Sequence, residues 1–129
     1  MKKYFVFFLI FLFVISCREK VHVHENSNNI SEMATAMRSM VKKLKEARKA
    51  LKNGSPYKLT IDDFTKHDFT DDSFQKDYFD LSANAFLLSV EKFDESPSIE
   101  NYEIVISSCK SCHISMCPGP LELIETLEY

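Results

Sequence analysis

The sequence predicts an all-α protein, and three observations support this prediction. The chain of 129 residues contains only two Gly and no Trp, which argues against a turn-rich β fold. Apolar residues recur at steps of three and four along three long segments, as one face of an amphipathic helix requires. Residues typical of helix ends stand at the borders of these segments. We therefore expect an antiparallel bundle of the four-helix type, or three long helices followed by a short C-terminal helix.

The first 29 residues do not fit this pattern and resemble an export signal followed by a tether. Lys2 and Lys3 precede an apolar run over residues 4–15, which at about 1.5 Å per residue reaches about 18 Å. That is shorter than the ~30 Å hydrocarbon core of a bilayer, so the run predicts a signal peptide rather than a membrane span. Residues 1–16 would be removed, and the polar residues 17–29 would form a flexible tether.

The end of the apolar run resembles a bacterial lipobox. The segment VISC covers residues 14–17, and in that motif the Cys thiol is acylated and begins the mature protein. Cys17 is therefore a predicted lipidation site that would anchor the protein to a membrane on the exported side, periplasmic or at the cell surface. An ordinary signal peptide that contains a Cys is the alternative. His22 and His24 in the tether are interpreted as solvated side chains.

The first helix is predicted from Ile30 to about Lys52. Asn29 followed by Glu32 fits a capping box at its start, and Gly54 fits a stop just beyond its end. The core-facing stripe consists of Ile30, Met33, Met37, Met40, Val41, Leu44, Ala47 and Leu51. The opposite face is rich in lysine and is interpreted as a solvated face, with docking of an acidic partner as the alternative; its residues are Lys42, Lys43, Lys45, Lys49 and Lys52.

Residues 55–69 lack a sustained period and contain Pro56, so they predict a loop with at most one helical turn. With Thr70 as its cap, a second helix is predicted from Asp71 to Phe93. Its broad apolar face is large enough to fill a bundle interior around a large group. The face comprises Phe74, Tyr78, Phe79, Leu81, Ala85, Phe86, Leu88, Val90 and Phe93.

Ser96 and Pro97 predict the start of a third helix, which extends to about Met116. Its stripe places the cysteines and the histidine of this segment on the core-facing side. The stripe consists of Tyr102, Val105, Ile106, Cys109, Cys112, His113 and Met116. Pro118 ends this helix, and Pro120 opens a short final helix that should pack as a lid. The apolar residues of that last helix are Leu121, Leu123, Ile124 and Leu127.

The sequence CKSCH at residues 109–113 is the attachment motif of c-type haem. Thiols at positions i and i+3 of a helix lie close enough to bond one edge of a porphyrin, and the adjacent imidazole can ligate the iron. We therefore predict one covalent haem c on Cys109 and Cys112, with His113 as an axial ligand.

Other interpretations of the same residues remain open. A redox CxxC pair would follow a strand and begin a helix, whereas this motif stands late in a helix. A zinc site would use Cys109, Cys112, His113 and Cys117, although one rigid helix does not easily aim four ligands at one tetrahedral centre. A disulfide or a pair of buried thiols would leave the adjoining histidine unexplained.

The second axial position points to the methionines of the first helix. If the first and third helices are antiparallel, the N-terminal half of the first lies near the motif. Met33, Met37 and Met40 share the core stripe there, and since the iron has one vacancy, at least two of them only fill the core. A thioether ligand would raise the reduction potential, which suits electron transfer.

With these residues in place, the chain resembles the cytochrome c′ and cytochrome b562 superfamily, and more closely small bacterial cytochromes with a C-terminal haem motif. The matching pieces are AMRSMVKKLKEARKAL (36–51), KHDFTDD (66–72) and YEIVISSCKSCHISMCPGPLELI (102–124). The CxxCHxxxCPGP string is the specific part. The resemblance implies a four-helix bundle, a periplasmic or surface location, and a methionine of the first helix as sixth ligand. Aligning AMR with the family pattern points to Met37, with Met33 or Met40 as substitutes.

The predicted function is one-electron transfer by an exported, lipid-anchored monohaem cytochrome that is not an enzyme and that works with redox partner proteins. A cytochrome with five-coordinate iron that binds small gases is the first alternative, and a zinc or thiol redox module is the second. The chain contains 16 basic and 19 acidic residues, for a net charge of −3, so it offers no electrostatic footprint for nucleic acid.

Overall fold

The computed structural model describes residues 30–129, and this part of the chain is all-helical. Helices hold 64% of these residues, and none of them lies in a strand. The elements are α1 (Glu32–Lys52), a 3-10 helix (Asp72–Phe74), α2 (Phe79–Glu95), α3 (Ile99–Met116) and α4 (Leu121–Glu125). The all-α prediction is confirmed.

The predicted signal peptide (1–16), the lipidation site Cys17 and the tether (17–29), with His22 and His24, lie outside the described residues. Between residues 30 and 129, no helix combines the length and the apolar character that crossing a bilayer requires.

α1 begins and ends for reasons that are visible in the sequence, although its cap is not the predicted one. Ser31, rather than Asn29, caps the helix, and its hydroxyl accepts a hydrogen bond from the Ala34 amide at 3.1 Å. Glu32 is therefore the first helical residue and does not occupy the third position that a capping box needs. Gly54 follows the helix with φ +64°, a conformation that suits glycine, and confirms the predicted stop.

α2 begins only at Phe79, so the predicted start at Asp71 with Thr70 as its cap is wrong. The Asp71 carboxylate accepts a hydrogen bond from the Ser73 amide at 2.8 Å, and this satisfies a single 3-10 turn. The Thr70 hydroxyl instead lies 2.7 Å from the hydroxyl of Ser31, which joins the loop to the start of α1. These side-chain hydrogen bonds compete with the backbone hydrogen bonds of a helix, so α2 begins later in the chain than predicted.

The apolar face of α2 is narrower than predicted. Leu81 is 74% exposed and Leu88 is 65% exposed. Each lies two residues beyond a buried phenylalanine, Phe79 or Phe86, which is about 200° round the helix and away from the core. Tyr78 and Ala85, also predicted on this face, are exposed as well. The buried stripe consists of Phe79, Ala83, Phe86, Ser89, Val90 and Phe93.

α3 is capped by Ser98, whose hydroxyl accepts from the Asn101 amide at 3.1 Å, so the predicted cap at Ser96 with Pro97 as first helical residue is wrong. Ser96 ends α2 instead, and its carbonyl accepts a hydrogen bond from the Asn101 side-chain amide at 2.7 Å. One buried asparagine thus stabilises the short connection between α2 and α3, which pack along each other.

The segment after α3 covers the core as the sequence predicts. Ile124 and Leu127 are buried, whereas Leu123 is 43% exposed. Arg48 of α1 donates hydrogen bonds to the carbonyls of Thr126 at 2.6 Å and Glu128 at 2.8 Å. The C-terminal segment is therefore fastened to α1 as well as to α3.

The loop between α1 and α2 contributes to the core through Leu59 and Phe64. The carboxylate of Asp94 in α2 accepts hydrogen bonds from the Leu59 amide at 2.6 Å and the Thr60 amide at 2.9 Å. These bonds hold Thr60 at φ +45°, a strained conformation for a β-branched residue. The predicted loop is confirmed, and a helix side chain positions it.

Candidate functional site

The CxxCH motif occupies the last two turns of α3, on the side of the helix that faces the core. Val105, Ile106, His113 and Met116 are buried along this side. The thiols of Cys109 and Cys112 are partly buried and pack against the same core cluster. The predicted helical stripe is therefore confirmed, and the two thiols are the most accessible part of it.

The imidazole of His113 is held by the residue that ends the helix. Cys117 is the C-cap of α3 in an extended conformation (φ −150°, ψ 87°), as expected for a residue that precedes proline. Its carbonyl oxygen lies 3.1 Å from Nδ1 of His113. A carbonyl only accepts hydrogen bonds, so this contact is a hydrogen bond in the tautomer that carries its proton on Nδ1 and leaves the lone pair on Nε2.

Cys117 also places its thiol at this ring, with Sγ 3.3 Å from Nδ1 of His113. Reasoning from the sequence gave Cys117 no role beyond that of a buried thiol or a zinc ligand. The sequence does contain this information. Pro118 forces Cys117 out of helical geometry four residues after His113, and this places the carbonyl of the helix cap beside the imidazole.

The surroundings of the three thiols favour their protonated form. Burial, and then the nearby Cys112, raises the pKa of Cys109 to about 12. Burial, and then Cys117, raises the pKa of Cys112, and burial raises that of Cys117. Catalytic CxxC pairs have a lowered pKa, so the raised pKa values here do not support the thiol redox interpretation. No disulfide joins the cysteines between residues 30 and 129.

The zinc interpretation finds little support in the arrangement. Within the described residues, no group of three or more His, Cys, Asp or Glu side chains could hold a metal ion. Nδ1 of His113 is occupied by Cys117, and the Sγ of Cys112 lies 3.8 Å from the Sδ of Met116. The four predicted ligands therefore do not converge on one tetrahedral point.

The three methionines of α1 differ in exposure. Met33 and Met40 are buried, each 7% exposed, and Met37 is half-buried. All three belong to, or pack against, the core cluster that also contacts Cys109 and Cys112. The contacts of the described chain do not single out one of them as a partner of His113, so the sixth ligand stays a prediction.

The donor set in α3 fits haem c. Two partly exposed thiols lie one helical turn apart, and the next residue offers an imidazole whose Nδ1 lies at the Cys117 carbonyl. His113 is only 9% exposed, so a porphyrin would need side chains beside the ring to move. A cavity of about 380 Å³ lies elsewhere, between α1 and the following loop, and is lined in part by Met40, Lys43 and His67.

Comparison with known proteins found no matching family model, no similar curated protein and no similar solved structure. The resemblance to haem-binding bundles therefore depends on the motif and its surroundings alone.

Proposed function

We propose that this chain is a monohaem c-type cytochrome that transfers single electrons and is held at a membrane by a lipid on Cys17. The observation that supports this proposal most is the geometry of α3. Cys109 and Cys112 lie on one side of the helix, and the adjacent His113 has Nδ1 fixed by the carbonyl of Cys117. When bound, the haem supplies a one-electron couple.

Each residue of the motif has a distinct task in this proposal. The thiols of Cys109 and Cys112 would hold the haem through two thioether bonds. His113 would hold the iron through Nε2, while a hydrogen bond from Nδ1 to the Cys117 carbonyl would fix the tautomer and the ring orientation. Buried side chains around the ring exclude water, and no side chain of the protein undergoes substrate chemistry.

The proposal includes the finer fold, in which α1, α2, α3 and the C-terminal segment form an antiparallel bundle around the haem. The Tyr102 hydroxyl lies 3.3 Å from the Leu44 carbonyl, and this supports the arrangement because it brings the start of α3 beside the second half of α1. Antiparallel helices would then carry Met37 towards the haem motif, where it would serve as sixth ligand.

The mass of the exported protein tests the covalent link. We expect the mass of one haem on a peptide that contains both Cys109 and Cys112, and lipid on the peptide that begins at Cys17. Cys109→Ser combined with Cys112→Ser should abolish the haem adduct, whereas the control Cys117→Ser should keep it. A colourless wild-type protein made together with haem-attachment machinery would refute the proposal.

Absorption spectra of the reduced protein test the sixth ligand. Met37→Ala should convert a sharp low-spin spectrum that resists carbon monoxide into one that responds to it. Met33→Ala and Met40→Ala are the controls and should leave the spectrum unchanged. If the wild type itself binds carbon monoxide readily, Met37 is not a ligand and the protein is a gas-binding cytochrome with five-coordinate iron.

A further inference from the structure

Five cationic side chains lie along one exposed face of α1. Arg38, Lys42, Lys45, Lys49 and Lys52 follow one another at steps of four and three, which keeps them on one side of the helix. All five are exposed. At 1.5 Å per residue, the row extends about 21 Å. We call this row the basic face.

Acidic side chains do not neutralise the basic face. Within residues 30–129, none of its five members forms an ion pair. Glu46, which lies among them in sequence, accepts a hydrogen bond from the hydroxyl of Tyr57 at 2.8 Å. The ammonium group of Lys52 lies 5.4 Å from the centroid of the Tyr129 ring, a contact that keeps its positive charge.

The remaining two cations of α1 bind groups within the protein. Lys43 donates a hydrogen bond to the carbonyl of Thr60, and Arg48 donates to the carbonyls of Thr126 and Glu128. Both fasten other segments to α1. Within residues 30–129, no member of the basic face donates a hydrogen bond to a backbone carbonyl, so these charges are open to an external partner.

The charge of the described chain is strongly divided. α1 contains seven basic and two acidic residues, for a formal charge of +5. The other described residues contain five basic and fifteen acidic residues, for a formal charge of −10. An anionic surface would therefore attract this protein through α1 and repel it elsewhere, and this sets one orientation.

The chemistry of the basic face favours lipid over a protein partner. Specific protein interfaces centre on aromatic or apolar anchors, and α1 contributes no large exposed hydrophobic side chain. Anionic headgroups form a fluid sheet of charge and need only a row of cations. We propose that the basic face binds anionic phospholipid headgroups and holds α1 along the membrane surface. This inference requires neither haem nor a lipid on Cys17.

Lysine labelling on vesicles tests the proposal with the full chain. The protein is reconstituted into phosphatidylcholine vesicles, with or without one-third phosphatidylglycerol, and treated with a water-soluble acylating ester. Mass spectrometry then gives the labelling rate of each lysine. We expect Lys42, Lys45, Lys49 and Lys52 to label several-fold more slowly when phosphatidylglycerol is present. High salt should restore their rates, because the Debye length falls to about 3 Å at 1 M.

Three exposed lysines outside α1, Lys58, Lys76 and Lys92, are the internal controls and should label equally in both lipids. Equal labelling of the basic face in both lipids would overturn the proposal and favour an acidic protein as its partner. Equal protection of all exposed lysines would also overturn it, because that result indicates aggregation rather than docking.

A matched pair of variants separates the basic face from net charge. In the triple variant with Lys42, Lys45 and Lys49 changed to Gln, Lys52 should lose its protection. Each lysine near an anionic surface contributes a factor of about five, so the membrane partition should fall on the order of a hundredfold.

The control triple variant has Lys58, Lys76 and Lys92 changed to Gln, which removes the same charge. It should keep Lys52 protected, and an equal loss in both variants would refute a defined face. Circular dichroism checks that both variants keep their helices.

Discussion

The hydroxyl of Tyr102 joins three segments of the protein, and we expect its removal to loosen all three. Tyr102 is fully buried, and its hydroxyl donates to the Leu127 carbonyl at 2.8 Å and lies 3.3 Å from the Leu44 carbonyl. Its ring makes an edge contact with Phe93, with centroids 6.3 Å apart. Tyr102→Phe removes the hydroxyl and keeps the ring contact.

The magnitude follows from the two carbonyl groups. The carbonyl of Leu44 lies inside α1 and keeps its helical partner, so the main loss is at Leu127, whose buried carbonyl is left without this donor. Such a loss lowers the free energy of unfolding by about 1 to 3 kcal/mol. Tyr57→Phe is the matched control. Its hydroxyl binds Glu46 at the surface, and its removal should change stability by at most about 0.5 kcal/mol.

The same residue predicts a loss of stability at high pH. Burial raises the pKa of Tyr102 to about 12, above the value near 10 of an unfolded tyrosine. The folded state therefore holds this proton more tightly than the unfolded state. This difference in pKa adds about 2 to 3 kcal/mol to the free energy of unfolding, and the whole amount is present below about pH 10. It is lost as the pH rises through about 12.

Chemical denaturation at several pH values between 7 and 11.5 measures both effects. Tyr102→Phe should be less stable than the wild type at pH 7 and should lose less stability on approaching pH 11.5. Burial, with the Glu46 bond, also raises the pKa of Tyr57 to about 12, so Tyr57→Phe must be measured in parallel. If Tyr102→Phe unfolds at the same denaturant concentration as Tyr57→Phe at pH 7, the bond to Leu127 does not stabilise the fold.

Three further predictions concern other parts of the chain. Asp94→Ala removes the acceptor for the Leu59 and Thr60 amides and should lower the free energy of unfolding by about 1 to 3 kcal/mol in urea denaturation, whereas an unchanged midpoint would contradict these bonds. In Gly54→Ala, no atom lies within 4 Å of the added Cβ, so the free energy of unfolding should fall only by the backbone strain of a side chain at φ +64°, about 1 kcal/mol. A gain in stability would contradict this prediction. In the haem-free folded chain, the raised pKa of Cys109 should make alkylation at pH 8 roughly tenfold or more slower than in urea, and equal rates would show that the thiol is not buried as described.

The helices could be predicted from the sequence more reliably than their boundaries. Steps of three and four in the apolar residues are a property of a single segment, so the sequence contains that information completely. Which serine caps a helix depends on what its hydroxyl and its neighbours bind. Asn101 binds the Ser98 hydroxyl through its amide and the Ser96 carbonyl through its side chain, and these local bonds leave no trace in the apolar period.

How much of an apolar helix face is buried also depends on which other segments pack against it. The aromatic and aliphatic residues of α2 predict one broad apolar face. Only the side of the helix that faces α3 and the loop is covered by other side chains. Leu81 and Leu88 are exposed because no described segment packs on their side of the helix. Hydrophobic character alone does not bury a residue; a partner surface is needed.

The sequence by itself determined the CxxCH motif, its place on the core side of a helix, and a basic row along α1, since each depends only on residue identity and helical period. Tertiary structure decided the rest. Lys43 binds the carbonyl of Thr60 and Arg48 binds those of Thr126 and Glu128, and this leaves the other five cations of α1 on an open face. Those choices depend on where separate segments meet in space, which the order of residues along one helix does not specify.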